Sequence, residues 1–299
     1  MRVILYFIAT LAIIFSSILP TLQAKTIWAD GVSLEEGWVD INKSVEGKEW
    51  KNSTEASMCY AIAAANLITW WQSKYEIANN TPNSAKDIWN TYLKYAVPGG
   101  GSTHYALQWW FSGQYYSPSF VGSSVKLIND RADLYYNEHA VSSSLNQLVC
   151  FKGAQSLIDA SCAQGGINDT IVKSLKNGIG LAIGLSGKFS HTVTLWGVEV
   201  DDETQKITKI WLTDSDDARE DLGNYPQPTI FSVDVITTTK RINNKRIETF
   251  ELVGNDGNRG YKGVYISSLY GLDSSITDNA IWVLNRKSGN STKYHSSKQ

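Results

Sequence analysis

The stretch from Met58 to Tyr75 restricts what this chain can fold into more than any other. It reads MCYAIAAANLITWWQSKY, with no glycine or proline to interrupt it. Alanine is the strongest helix former, so the composition predicts a helix. Apolar side chains occupy nearly every side of that helix instead of one stripe. Such a helix is stable only when other elements cover it all round. The chain has the material for this: 299 residues, of which 42% are apolar and 19% charged. That balance excludes wholesale disorder and supplies a sizeable core. Glu55-Ala56-Ser57 leads into the helix, and Cys59 falls in its first turn.

Before this helix, Arg2 is followed by an apolar run from Val3 to Leu19 and by Leu22-Gln23-Ala24. The pattern predicts a secretory signal peptide over residues 1–24, with the mature chain starting at Lys25. The run is at the short end for a membrane anchor, and no later segment has eighteen consecutive apolar residues, so no stable membrane insertion is expected after cleavage. The formal net charge of -2 argues against a nucleic-acid partner, which calls for a basic excess.

Beyond the alanine-rich helix, Ser84 to Tyr95 predicts a second helix, ended by Pro98 and Gly99 to Gly101. Residues 101–125 are rich in aromatics and poor in charge, and read as an ordered loop or insertion. Asn168 or Asp169 caps a predicted helix to Lys176, stopped by Asn177-Gly178. The pattern then turns to strands: 181–185, 191–200, 206–213, 247–252, 263–269 and 279–284. Asp201 to Thr204 forms the turn of a hairpin. Helices first and strands later predict an α+β fold with a mostly antiparallel sheet. A single domain over 25–299 is the simplest organisation, with a polar tail from about 287.

Export would place the three cysteines in an oxidising compartment. Cys150 and Cys162 are then a candidate pair, and Cys59 is left as a buried or reactive thiol. A thiol at a helix N-terminus meets the positive end of the helix dipole and unpaired N–H groups, both of which favour the thiolate. It still needs a histidine, and a third group to orient that histidine. Of four histidines, His295 lies in the tail, His139 in a polar stretch and His104 in the aromatic region. His191 opens a strand after a turn. Counting back across the hairpin turn places Asp214 at the same end as His191. The carboxylate would accept the Nδ1 proton and leave Nε2 for the thiol. Asp214-Ser215-Asp216 also looks like the start of a calcium loop, but no glycine follows at the sixth position and no glutamate at the twelfth. No paired Cys or His spacing supports zinc.

Four blocks carry a resemblance: Gly37 to Lys43, Cys59 opening an alanine-rich helix that ends in Trp70-Trp71, His191 to Gly197, and Thr213 to Asp216. Together and in this order they resemble the Mac/IdeS family of secreted, papain-like cysteine endopeptidases that cleave immunoglobulin heavy chains. The resemblance implies a papain-like α+β fold, with a buried N-terminal helix carrying the cysteine against the sheet, and no cofactor. It implies Cys59 as nucleophile, His191 as general base and acid, Asp214 as orienter, and Asp216 as a supporting acidic group. Lys43 matches a lysine that aids the oxyanion hole. A protein substrate, the immunoglobulin heavy chain, follows from the same likeness. This chain departs from the family in having Tyr60 in place of the glycine after the cysteine, where the ring would fill space over the nucleophile. The stretch from Lys43 to Cys59 is also longer. Two other readings stand beside this one. The same triad can act on another amide, such as peptidoglycan, by hydrolysis or transamidation. A non-catalytic glycan- or protein-binding protein could use Trp109, Trp110, Tyr115 and Tyr116 as a stacking platform.

Overall fold

The computed structural model describes residues 24–43, 54–79, 81–95, 101–112, 166–216, 228–242, 245–254, 260–274 and 283–287. The predicted signal peptide (apart from Ala24), Cys150, Cys162, His139, His295, Tyr115, Tyr116 and the tail beyond 287 lie outside them. In chain order the described elements are β1 (Lys25–Trp28), a 3-10 turn (Thr54–Ser57), α1 (Cys59–Gln72), β2 (Tyr75–Ile77), α2 (Ala85–Tyr95), α3 (Thr103–Ser112) and α4 (Gly166–Lys176). There follow β3 (Ile179–Gly187), β4 (His191–Val200), β5 (Ile207–Thr213), β6 (Phe231–Ile242), β7 (Lys245–Leu252), β8 (Val264–Asp273) and β9 (Val283–Arg286).

The strands correct the expected fold class. β4, β3, β8, β7, β6 and β5 are neighbours in that order, and β5 pairs again with β4. Every pairing is antiparallel. The sheet therefore closes on itself as a six-stranded antiparallel barrel, which replaces the expected papain-like α+β fold. Closure leaves no unpaired edge among the barrel's own strands. β1 adds to the outside of the ring. It pairs with residues 197–200 of β4, along the edge that β3 uses at residues 191–195.

Alternation along β4 divides its side chains between two faces. Thr194 and Trp196 meet α1: Asn66 Nδ2 donates to Thr194 Oγ1 at 3.0 Å, and Trp196 lies edge-on to Trp70 at 6.4 Å. Val193 and Leu195 point to the opposite face and are also buried. Gly197 is required where β1 crosses, since a Cβ there would come within 2.4 Å of the Trp28 ring. Helix α1 is buried from Tyr60 to Leu67 without a break, as its all-round apolar pattern demands. No helix among the described residues is long and apolar enough to cross a membrane.

Region 101–112 is not the loop that was expected. It forms helix α3, with Trp109 and Trp110 buried against Tyr92 of α2. Those two tryptophans are core residues and offer no stacking platform. Strand β6 is absent from the predicted strands although FSVDVITTTKRI is rich in β-branched residues.

Candidate active site

The 3-10 turn feeds α1 through Met58, whose carbonyl accepts from the N–H groups of Ala61 (2.9 Å) and Ile62 (3.0 Å). No side chain caps this helix start. The N–H of Cys59 thus keeps the unpaired position of a first helical residue, at the positive end of the dipole. Cys59 is half-buried.

His191 is the first residue of β4, and Asp214 follows β5 directly. The pairing of Thr194 with Thr213 sets both at one end of the hairpin. His191 Nε2 lies 2.6 Å from Asp214 Oδ1, with the two side chains only 8% and 6% exposed. The expected assignment of ring nitrogens is reversed. Nε2 faces the carboxylate, which leaves Nδ1 for the thiol. The geometry follows from where the ring enters: a histidine on the first residue of the strand reaches Asp214 with the far edge of its ring.

Asp214 has further donors. The Asp216 N–H donates to Oδ1 at 2.9 Å, and the Tyr261 hydroxyl donates to Oδ2. Tyr261 was not singled out from the sequence. It sits between Gly260 and Gly263 in a segment with no recognisable motif, and nothing in its neighbours signals its role. Lys43 is buried, with Nζ 2.6 Å from Asp216 Oδ1 and 3.1 Å from the carbonyl oxygen of Ala56. Its N–H donates to the Ser215 carbonyl at 2.9 Å. The structure therefore brings Lys43, Cys59, His191, Asp214 and Asp216 to one site. His104 lies in α3.

Tyr60 does not cover the nucleophile. It is 1% exposed, and its ring packs so tightly on Gly101 that a Cβ there would come within 2.6 Å of it. Successive helical residues diverge by a large angle, so Tyr60 fills the core between α1 and α3 while Cys59 faces the barrel end.

The electrostatics follow from this packing. Burial by itself raises the Cys59 thiol. The hydrogen bond with His191, the charges of His191 and Lys43, and the Thr192 N–H outweigh it, so the thiol lies below its ordinary value. Burial likewise opposes charge on His191, yet the charge and hydrogen bond of Asp214, followed by Cys59, hold it well above the usual imidazole value. Asp214 also resists burial and is held below the carboxylate range by His191, Tyr261 and the Asp216 N–H. These shifts favour a thiolate–imidazolium pair backed by a carboxylate.

His191, Asp214 and Asp216 bring possible ligand atoms within 4.8 Å of one another. Each already has a partner: Nε2 and Oδ1 hold each other, Tyr261 takes the second Asp214 oxygen, and Lys43 holds Asp216. A cation there would have to displace an ammonium and an imidazole proton, so the donor set does not fit a resident metal. A cavity of about 270 Å³ lies at the other end of β4, lined by Lys25, Asp169, Lys176, Val200 and Asp202 among others.

The thiol–imidazole–carboxylate cluster is an arrangement suited to nucleophilic chemistry by cysteine. Comparison with known proteins adds the family. The Mac 1 family model matches residues 167–245, which span α4 and β3 to β6 and include His191, Asp214 and Asp216. The chain is also 25% identical to an IgM protease of Streptococcus suis (strain P1/7) over 223 residues, covering 63% of this chain and 18% of that protein. This chain thus spans less than a fifth of that relative's length. Both matches point the same way as the four residue blocks, to a likeness with the Mac/IdeS family.

Proposed function

We propose that this chain is a cysteine endopeptidase of exported type that cuts immunoglobulin heavy chains. The observation that carries the reading is the seating of Cys59 at an uncapped helix start, hydrogen-bonded to a histidine that is itself held by a buried carboxylate. The likeness to an IgM protease supports the substrate class.

In this reading the Cys59 thiolate attacks the peptide carbonyl carbon, and the C=O pair moves onto oxygen. The Cys59 N–H receives that oxyanion. Lys43 uses two of its three N–H donors on Asp216 and Ala56 and has a third to aim at the same charge. His191 Nδ1–H passes its proton to the leaving amine, the C–N bond breaks, and an acyl-thioenzyme remains. Neutral His191 then takes a proton from water as the hydroxide oxygen attacks the thioester. The C–S bond breaks, the carboxylic acid leaves, and the thiolate–imidazolium pair is restored. Asp214 keeps the ring in place throughout and balances its charge.

The test is incubation of the purified protein, under mild reductant, with a panel of immunoglobulin classes including IgM and an unrelated control protein. A discrete heavy-chain cut, read by intact mass and absent with Cys59→Ala, is expected. Cleavage that persists in Cys59→Ala refutes the mechanism. No cut in any immunoglobulin refutes the substrate.

A further inference from the structure

We infer that Tyr261 is a positioning residue of this site: by donating its hydroxyl to Asp214 Oδ2 it fixes the carboxylate so that Oδ1 faces His191. The inference rests on the cysteine-nucleophile reading above and extends it to a residue far along the chain. Tyr261 precedes β8 and is 3% exposed. Its ring stacks on Phe231 at 5.9 Å and 23° and meets Phe189 at 6.1 Å, which in turn lies edge-on to His191 at 6.3 Å. These rings form a continuous aromatic contact from Phe231 through Tyr261 and Phe189 to His191.

A buried carboxylate on a single bond can turn. His191 and the Asp216 N–H both bind Oδ1, so Oδ2 needs its own donor to hold the plane. Tyr261 supplies it. Among the described residues, the charged and titratable groups facing Asp214 are His191 from β4, the ion pair of Lys43 (residues 38–43) with Asp216 after β5, and Cys59 from α1 beyond the imidazole. The hydrogen bond to Oδ2 among the described residues comes from the Tyr261 hydroxyl. Loss of that hydroxyl leaves a buried oxygen without a donor, which disfavours the carboxylate and loosens its hold on the imidazolium. The thiolate is then less well supported.

The test is the pH dependence of Cys59 alkylation by iodoacetamide in wild type, Tyr261→Phe and His191→Ala, with a melting temperature for each. Phenylalanine retains the ring and its stacking. The expected result is a wild-type midpoint below that of an ordinary thiol, moved up by about one pH unit in Tyr261→Phe, with a smaller shift of melting temperature than removal of the ring would give. An unchanged or lowered midpoint in Tyr261→Phe, whatever its melting temperature, overturns the positioning role. A wild-type midpoint equal to that of His191→Ala instead overturns the underlying reading of the site. Should Tyr261→Phe fail to fold, fluorotyrosine at position 261 repeats the test on an intact shape. Its stronger donation lowers the midpoint, and no movement overturns the inference.

Discussion

At the scale of single residues, the site couples three ionisable groups that burial alone would push toward neutrality. Removing one changes the others. Asp214→Asn keeps the shape but replaces the charge that holds His191 above its usual value. We expect it to lower peptidase activity by roughly 100-fold or more, as loss of the orienting carboxylate does in other triads. Lys43→Ala should cost about 100-fold in kcat, the range seen for one oxyanion donor, with a smaller change in KM. The pair also makes stability depend on pH. Asp214 is depressed, so its contribution is present above the ordinary carboxylate value and is lost as pH falls toward the folded one. His191 is raised, so its contribution is complete below the ordinary imidazole value and is lost as pH rises through the folded one. The difference in melting temperature between wild type and Asp214→Asn should therefore be largest between about pH 4 and 6.5 and shrink on both sides. A difference that does not vary with pH would contradict the coupling.

At the scale of elements, the site is held by hydrogen bonds that tie the strap at 38–43 to α1, β4 and β5. Asn66 accepts from the Ile41 N–H at 3.1 Å and donates to Thr194. Trp196 Nε1 donates to Thr213 Oγ1, which donates to the Val39 carbonyl, each at 2.9 Å. Asn66 is seven residues after Cys59, two helical turns on, so the side that presents the thiol also grips the strap bearing Lys43. Asn66→Ala should lower unfolding stability by about 1–3 kcal/mol, because it strands a buried N–H and a hydroxyl. It should also slow Cys59 alkylation by releasing Lys43. Urea denaturation and the alkylation rate measure the two effects separately, and a stability loss with unchanged reactivity would deny the link. The helix and the β4–β5 hairpin were legible in the sequence because their signals are local: an alanine-rich stretch free of glycine and proline, and two strands across a short turn. The choice of ring nitrogen was not, since it depends on where the imidazole enters relative to Asp214 in three dimensions. The helical form of 103–112 was masked by its aromatics, which suit strand and helix alike.

At the scale of the whole molecule, barrel closure was the part that sequence patterning missed. β3 pairs with β8 across some eighty residues of chain, and the β7–β8 contact rests on Glu251 with Tyr265 and Leu252 with Val264. Neither pairing leaves a local periodicity to read. The residues that a chain-order argument can bring together are those of one hairpin. Tyr261 reaches Asp214 only because β8 lies beside β3 on one side and β7 on the other. Gly197 marks the same limit, since only the crossing of β1 shows why a side chain is forbidden there. Gly197→Ala should destabilise the fold by about 1–3 kcal/mol through its clash with Trp28. A melting temperature equal to wild type would show that β1 is free to give way.

The central claim is that Cys59 is a thiolate activated by His191. The rate of Cys59 alkylation at pH 6, followed on the Cys59 peptide by mass spectrometry in wild type and His191→Ala, tests it most directly. An ordinary thiol has well under about 1% thiolate at that pH. We predict that wild-type Cys59 reacts at least about tenfold faster than in His191→Ala. Equal, slow rates in the two proteins would contradict the account.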